Sequence, residues 1–285
     1  MVLASGGKLH LAPIGDDPKR ILDVGTGTGI WAIEMGNDLS PIQPDMVPPN
    51  VHFEVDDVEE RWMYNEPFDY IHSRTMAKSI ADWPNLVRQC YKFTRPGGWV
   101  EFQDLDIRYY SKDGSLRTDH HIYRWVYDLI EASTLAGRDP CPGPKLEGWV
   151  REAGYQNVHH HKFILPVGPW PKDFTLKQVG AWNLMQIDEG LEAFSLRLFT
   201  RIFGWSISDI HVMLAHARND LRDKSIHAQF DLLVLPFPIP LGRFPSPRSV
   251  NEGLLMGVFS HVVYAQKPDT GRSSGGRPGN DGNSA

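Results

Sequence analysis

A glycine-rich turn follows a short apolar segment near the start of the chain. Residues 20–31 read Arg-Ile-Leu-Asp-Val-Gly-Thr-Gly-Thr-Gly-Ile-Trp, with glycine at positions 25, 27 and 29. Because glycine carries no Cβ, the backbone can turn tightly there and approach a ligand closely. A helix that begins near Gly29 would point its free N–H groups at that ligand. The segment therefore predicts a buried strand, a nucleotide-binding turn and a helix.

The spacing of these glycines narrows the choice of ligand. Dinucleotide-binding turns have the pattern G-x-G-x-x-G, whereas this chain has G-x-G-x-G. A nicotinamide-dependent oxidoreductase is therefore disfavoured, and no Gly-Lys-Ser/Thr of a P-loop follows the turn. Asp23 lies just before the glycines, and its charge disfavours a phosphate but suits a cation or an amine.

The turn and the segments after it resemble the class I S-adenosylmethionine-dependent methyltransferases, in which such a turn is motif I. Asp38 resembles the acid that binds the ribose hydroxyls, and Asp56 and Asp57 resemble the acidic pair near the adenine. The resemblance covers residues 18–230 and 261–268 and implies S-adenosyl-L-methionine as the cofactor. The cofactor-binding residues that it implies are Asp23, Gly25, Thr26, Gly27, Gly29, Asp38, Asp57, Val58 and Ser73.

Three segments resemble one branch of that family, the fungal LaeA-like methyltransferases. They are residues 38–44 (Asp-Leu-Ser-Pro-Ile-Gln-Pro), residues 47–54 (Val-Pro-Pro-Asn-Val-His-Phe-Glu) and residues 168–173 (Gly-Pro-Trp-Pro-Lys-Asp). This resemblance implies methyl transfer to a small-molecule acceptor of secondary metabolism. It also implies an alternative, a nuclear regulator that acts through protein partners with little or no turnover.

Predicted strands and helices alternate along the chain and hold these residues. Apolar runs predict strands near residues 20–24, 51–55, 68–73, 98–105 and 155–165, and helical spacing predicts helices over 85–93, 116–135 and 145–153. This alternation predicts a Rossmann-like α/β fold with a parallel sheet. The predicted organisation is a lead-in over 1–17, a methyltransferase domain over 18–230 with a helical cap at about 173–223, a proline-rich insertion over 231–260, a final strand over 261–268 and a disordered tail over 269–285.

Two regions depart from the family pattern. Asp38 lies thirteen positions after Gly25, whereas an acid at the end of the second strand is expected about 20 residues after such a turn. The first crossover helix and the second strand are therefore predicted to be truncated, which would weaken cofactor binding. The second region, residues 231–260, is too rich in proline for a helix or a central strand and is predicted to be an insertion.

No general base stands out from the sequence. His72, Asp104 and Tyr109 are polar residues expected near the mouth of the site, although a buried structural role for His72 is at least as well supported. His159 and His161 would share one face of a strand, but no acid or cysteine nearby completes a metal site. We therefore predict no metal centre, and read these two histidines as a solvated strand edge.

The composition excludes several function classes. The chain has 285 residues, 41% of them hydrophobic, and its 35 acidic residues outnumber 29 Lys and Arg for a net charge of −6. This balance predicts neither a nucleic-acid-binding surface nor a polybasic membrane patch. Two cysteines form no disulfide framework, and we recognise neither a signal peptide nor an apolar run of membrane-spanning length. Cytosol or nucleus is the predicted location.

Overall fold

The computed structural model describes residues 10–15, 18–27, 50–230 and 261–269. Its centre is a five-stranded sheet with strand order β1-β2-β3-β7-β4, in which β1, β2 and β3 run parallel and β7 is antiparallel to both of its neighbours. The strands are β1 (Ile21–Val24), β2 (Phe68–Arg74), β3 (Thr94–Asp104), β4 (Gln156–Lys162) and β7 (His261–Gln266), and two short strands, β5 (Leu165–Pro166) and β6 (Gln229–Phe230), form a separate pair. The predicted Rossmann-like α/β fold is confirmed.

One predicted strand is wrong. Residues 51–55 form no strand, although Val51 is buried. Val55 on the same side of the expected alternation is 62% exposed, so the segment does not present a continuous apolar face. A strand also needs a neighbour for its backbone hydrogen bonds, and β1 is the edge strand on this side of the described sheet.

Helices α1 (Trp83–Phe93) and α3 (Gly143–Glu152) cover one face of the sheet. Helix α1 begins where the Asp82 carboxylate accepts the N–H of Asn85 at 2.9 Å, an N-cap that satisfies one of the free donors of the first turn. The apolar residues of the sheet that these helices bury are Leu22, Val24, Ile71, Val100, Phe102 and Val263. This face forms one hydrophobic core.

Three further helices pack around a second core, and we call them the cap helices. They are α2 (His121–Leu135), α4 (Phe174–Ile202) and α5 (Ile207–Arg222). The core residues include Trp125, Leu129, Leu191, Phe199, Ile210 and Leu214. Helix α2 starts later than residue 116 because residues 116–120 form a turn: Ser111 Oγ accepts the N–H of Leu116, and the Arg117 carbonyl accepts that of His120.

The other face of the sheet has a buried polar row flanked by apolar side chains such as Tyr70, and it is covered in part by residues 10–15. Asp23, His72 and Glu101 are register partners across β1, β2 and β3, and all three are buried. The fully buried Glu101 carboxylate accepts the N–H groups of Leu11 and Ala12 at 2.9 and 2.8 Å. The segment before β1 is thereby attached to the middle of the sheet.

Candidate cofactor and acceptor site

The glycine turn lies at the carboxyl end of β1, where two positive φ angles change the chain direction. Gly25 has φ 75° and Gly27 has φ 62°, a region that favours glycine. A Cβ on Gly25 would lie 2.2 Å from Sδ of Met76, so a side chain there would displace Met76 of the loop after β2. A Cβ on Gly27 would meet no atom of the described residues within 4 Å. The turn is therefore packed on one side and open at Gly27.

A buried hydrogen bond fixes the acid that precedes the turn. Nδ1 of His72 donates to Oδ1 of Asp23 at 2.7 Å, and both side chains are almost completely inaccessible to solvent. Cationic Arg74, on the same strand as His72, also acts on Asp23 electrostatically, and burial lowers the pKa of Arg74. Asp23 therefore has a fixed position and a charge that suits an amine on the ligand.

Two buried hydroxyls lie next to the turn without a partner. Oγ1 of Thr26 and Oγ of Ser73 have no hydrogen bond within the described part of the chain. Ser73 is the register partner of Val24, the last residue of β1 before Gly25. Buried hydroxyls are normally hydrogen-bonded, and each exception calls for an explanation. A carboxylate, two unsatisfied hydroxyls and an open glycine turn fit a ligand with an amine and several hydrogen-bonding groups, as S-adenosylmethionine has.

The loop after β2 is attached to the tip of β3 by Asp104. Its carboxylate accepts the backbone N–H groups of Met76 at 2.7 Å, Ala77 at 3.1 Å and Leu105 at 2.8 Å. Burial raises the pKa of Asp104 to about 7, although these three hydrogen bonds act in the opposite direction. The structure places Asp104 at the tip of β3 as the residue that holds this loop, and its catalytic role stays a prediction.

The remaining predicted site residues are spread out. Gly29 and Asp38 lie outside the described residues. Asp57 is exposed, and its carboxylate accepts the N–H of Glu59 at 2.9 Å in a local turn. Val58 is half-buried against the core under α1. The cofactor-binding roles of these four residues stay predictions.

Tyr109 lies in the cap core and not on an open surface. Its ring stacks on Phe230 with centroids 5.2 Å apart, and it is 5% exposed. Burial raises the pKa of its phenol, which disfavours ionisation. His72 is likewise fully buried. The catalytic roles of Tyr109 and His72 stay predictions, and neither has the exposure that a proton-transfer group needs in this conformation.

Sequence reasoning missed two polar residues near the site. Lys78 follows a predicted strand end by five positions, so its place in the chain was a usable signal. Glu101 alternates with apolar residues on β3, which by itself predicts a solvent-facing side chain. The structure buries it instead, because residues distant in sequence cover that face.

Neither a metal-binding cluster nor a membrane-spanning helix is found in the part of the chain that the structure describes. Within the described residues, no group of three or more His, Cys, Asp or Glu side chains is arranged to hold a metal ion. His159 and His161 stack on Tyr264, with ring centroids 4.9 and 5.6 Å away. No helix in the described ranges has the length and apolar character required to cross a bilayer.

Known proteins with similar sequences fall in one family. A family model described as a methyltransferase domain matches residues 3–160. Over 239 residues the chain is 46% identical to methyltransferase pytC of Aspergillus terreus, covering 80% of this chain and 74% of that protein. It is 33% identical over 243 residues to the secondary metabolism regulator LAE1 of Cochliobolus heterostrophus, covering 79% of each.

A third relative is the protein-methionine methyltransferase laeA of Emericella nidulans. The chain is 33% identical to it over 223 residues, which cover 73% of this chain and 59% of that protein. The order of motifs, the parallel strands β1 to β3 and the glycine turn at their carboxyl edge agree with these matches. The chain therefore belongs to the methyltransferase domain family, in its LaeA-like branch, and is an S-adenosylmethionine-dependent methyltransferase.

Proposed function

We propose that the chain transfers a methyl group from S-adenosyl-L-methionine to a small-molecule acceptor of secondary metabolism. Asp23, the turn at Gly25 and Gly27, and the hydroxyls of Thr26 and Ser73 hold the cofactor. The observation that carries this proposal is the pair of buried hydroxyls without partners beside an open glycine turn. The identity of 46% with a methyltransferase over most of both chains supports it.

The residues act mainly by positioning. When bound, S-adenosylmethionine supplies a methyl group on a positively charged sulfur, and in-line displacement requires that group close to the acceptor atom in a site from which water is excluded. The Asp23 carboxylate, held by His72, orients the amine, and Thr26 and Ser73 supply hydrogen bonds. Asp104 keeps the loop after β2 in place next to the turn. We assign no general base among the described residues.

A second candidate is a regulator of secondary metabolism that acts through protein partners in the nucleus. The match to the regulator LAE1 over 79% of each chain favours it. Transfer of labelled methyl from S-adenosylmethionine to small molecules of a fungal extract supports the enzyme. Stable capture of a protein partner without any transfer to small molecules supports the regulator, and label on protein methionines supports a protein acceptor.

Removing the Ser73 hydroxyl distinguishes a role in cofactor binding from a role in stability. Ser73→Ala removes a buried hydroxyl that has no partner in the described structure, so the variant should be as stable as the parent or more stable. If Ser73 binds the cofactor, the same variant should bind S-adenosylmethionine about tenfold more weakly. Thermal unfolding and isothermal titration calorimetry measure the two effects.

The chain offers a matched control for this experiment. Ser133 also has a buried Oγ without a partner in the described residues, but it lies on helix α2 and not on a strand that ends beside the glycine turn. Ser133→Ala should change stability in the same direction and leave the affinity for S-adenosylmethionine unchanged. Unchanged affinity in both variants would remove Ser73 from the site.

The glycine turn can be tested with two glycines of similar geometry. Gly27→Val places a branched side chain at φ 62° in the open side of the turn and should lower the affinity for S-adenosylmethionine by about a hundredfold or more. Gly114 has φ 74° and equally open surroundings, but lies in a loop after β3, so Gly114→Val carries the same backbone strain. An equal loss of affinity in the two variants would refute the turn as the binding site.

A further inference from the structure

The loop after β2 carries a lysine whose charge is not neutralised. Nζ of Lys78 forms no hydrogen bond or ion pair with any residue that the structure describes, and the side chain is half-buried. Its contact is the ring of Phe194 on α4, with Nζ 4.9 Å from the ring centroid. An aromatic face attracts a cation but does not cancel its charge. The ammonium group is therefore available to an anion.

The backbone holds this lysine in a strained conformation. Lys78 has φ 67° and Thr75 has φ 56°, both in the left-handed region that residues other than glycine avoid. Such strain persists only where the surroundings fix it, and it is concentrated at functional sites. Here the Asp139 carbonyl accepts the N–H of Lys78 at 2.9 Å, and Arg138 donates to the carbonyl of Ser79 at 2.8 Å. Residues 138 and 139 therefore fix the position of Lys78.

Helix α4 of the cap places the Phe194 ring beside Lys78. A Cβ on Gly190 would lie 2.5 Å from Cε2 of Phe194, so the ring lies back along the helix over a glycine. Glycine in a helix interior is less stable than alanine, and this one leaves the space that the ring occupies. Phe194 remains 40% exposed, so part of the ring faces outward beside the lysine.

The lysine loop is adjacent to the cofactor turn. Met76, two residues before Lys78, is the residue that packs on Gly25. Asp104 lies close enough to attract Lys78 electrostatically, but three backbone N–H groups already donate to its carboxylate. A ligand that reached Lys78 and Phe194 would therefore lie between the cofactor turn and the cap.

We propose that Lys78 determines acceptor specificity by binding an anionic oxygen of the acceptor, a carboxylate or an ionised phenol or enol, while Phe194 packs against the ring that carries it. This inference rests on the proposed function and adds a substrate class to it. A neutral acceptor of the same shape would leave the ammonium group buried against a ring without an anion, which disfavours its binding.

The test uses benzoate and benzamide, two probes of the same shape that differ in charge. Binding to the full chain is measured by ligand-observed NMR, with and without S-adenosylhomocysteine. We expect benzoate to bind about tenfold more tightly than benzamide. Lys78→Met keeps the aliphatic stem and should abolish this preference, whereas Lys78→Arg should retain it. Gly190→Ala should displace the Phe194 ring and weaken both probes.

A second lysine provides the control. Nζ of Lys92 lies 4.7 Å from the ring centroid of Phe93 at the end of α1, directly before β3 and thus at the opposite edge of the sheet. Lys92→Met should leave both affinities unchanged. Equal binding of the two probes, no benzoate binding up to about 10 mM, or a preference that survives in Lys78→Met would each overturn the proposal.

The cofactor is measured separately in the same samples. A chain that binds S-adenosylhomocysteine but shows no benzoate preference contradicts only the role of Lys78. A chain that binds no S-adenosylhomocysteine contradicts the proposed function, while the benzoate comparison without cofactor still decides whether Lys78 selects an anion.

Discussion

The two faces of the central sheet are built from alternate residues of the same strands, but they are covered in different ways. On one face Val24, Ile71 and Phe102 pack against helices α1 and α3. On the other face Asp23, His72 and Glu101 form a buried polar row, covered in its middle by residues 10–15. The apolar face stabilises the fold in proportion to the apolar area that it buries. The polar face depends instead on the geometry of its hydrogen bonds, because a buried donor or acceptor left unpaired is costly.

This difference bears on function. Asp23 belongs to the polar row and also precedes the glycine turn, so the arrangement that covers Glu101 is continuous with the acid of the candidate site. Apart from the Ser73 hydroxyl beside the glycine turn, the strand residues of the apolar face supply stability and offer no group that could contact a polar ligand. Substitutions on the apolar face should therefore change mainly the free energy of unfolding. Substitutions in the polar row should change mainly the geometry of the candidate site.

The largest effect is expected on the apolar face. Leu86 on α1 is fully buried in this core, and Leu86→Ala should lower the free energy of unfolding by about 3 kcal/mol through lost burial and a cavity. The affinity of the folded protein for S-adenosylmethionine should not change. Urea unfolding and calorimetry measure the two quantities.

An exposed leucine provides the reference for this variant. Leu135 at the end of α2 is 64% exposed, so Leu135→Ala should change stability by less than about 0.5 kcal/mol. If Leu86→Ala destabilised the protein no more than Leu135→Ala does, the assignment of this face as the main source of stability would be wrong.

A smaller but more local effect is expected on the polar face. Glu101 accepts from Leu11 N, Ala12 N, the Tyr70 hydroxyl at 3.0 Å and Gln103 Nε2 at 2.5 Å. Glu101→Gln keeps the shape but removes the charge that strengthens these bonds, and should cost about 1–2 kcal/mol. Amide hydrogen exchange should accelerate at residues 11 and 12 more than in α1.

The pattern of amide hydrogen exchange distinguishes a local effect of Glu101→Gln from a general loss of stability. In Leu86→Ala, protection should fall throughout the domain in proportion to the global free energy. If Glu101→Gln produced the same uniform pattern, residues 10–15 would not be held by this carboxylate, and the contrast between the faces would fail.

The sequence could predict the apolar face better than the polar one. Apolar runs located β1, β2 and β3, and helical spacing located α1, α3 and the cap helices, because these patterns reflect local periodicity. Burial of Glu101 depends on a segment 89 positions away in the chain, which no local pattern encodes. The strand predicted at residues 51–55 failed for a related reason, since a strand requires a neighbour and Val51 alone is buried.

The sequence predicted some features of the candidate site and not others. The glycine turn and Asp23 follow from residue types and spacing. The left-handed conformation of Lys78 has no sequence signal, because it is imposed by contacts with residues 138 and 139. Asp104 was expected at the site, but its three backbone donors could be identified only from the structure.

Stability should also depend on pH through Asp104, at the tip of β3. Burial raises the pKa of Asp104 from its ordinary value of 3.8 to about 7. The folded chain therefore binds more protons at this group than the unfolded chain does between these two values. Stability contributed by the neutral carboxyl is present in full at low pH and is lost as the pH rises to 7, with a slope of at most about 1.4 kcal/mol per pH unit.

Asp104→Asn should remove this slope and leave a constant offset, measured by urea unfolding at several pH values from 5 to 8. Asp106→Asn is the neighbouring control. Burial acts against ionisation of Asp106, but hydrogen bonds from Arg108 outweigh it and lower the pKa of that carboxyl. Its stability contribution is therefore lost only as the pH falls below the ordinary carboxyl range, and Asp106→Asn should not alter the slope above pH 5. A parent slope that persists unchanged in Asp104→Asn would show that ionisation of this buried group does not oppose folding, and that the loop after β2 is held equally well in both charge states.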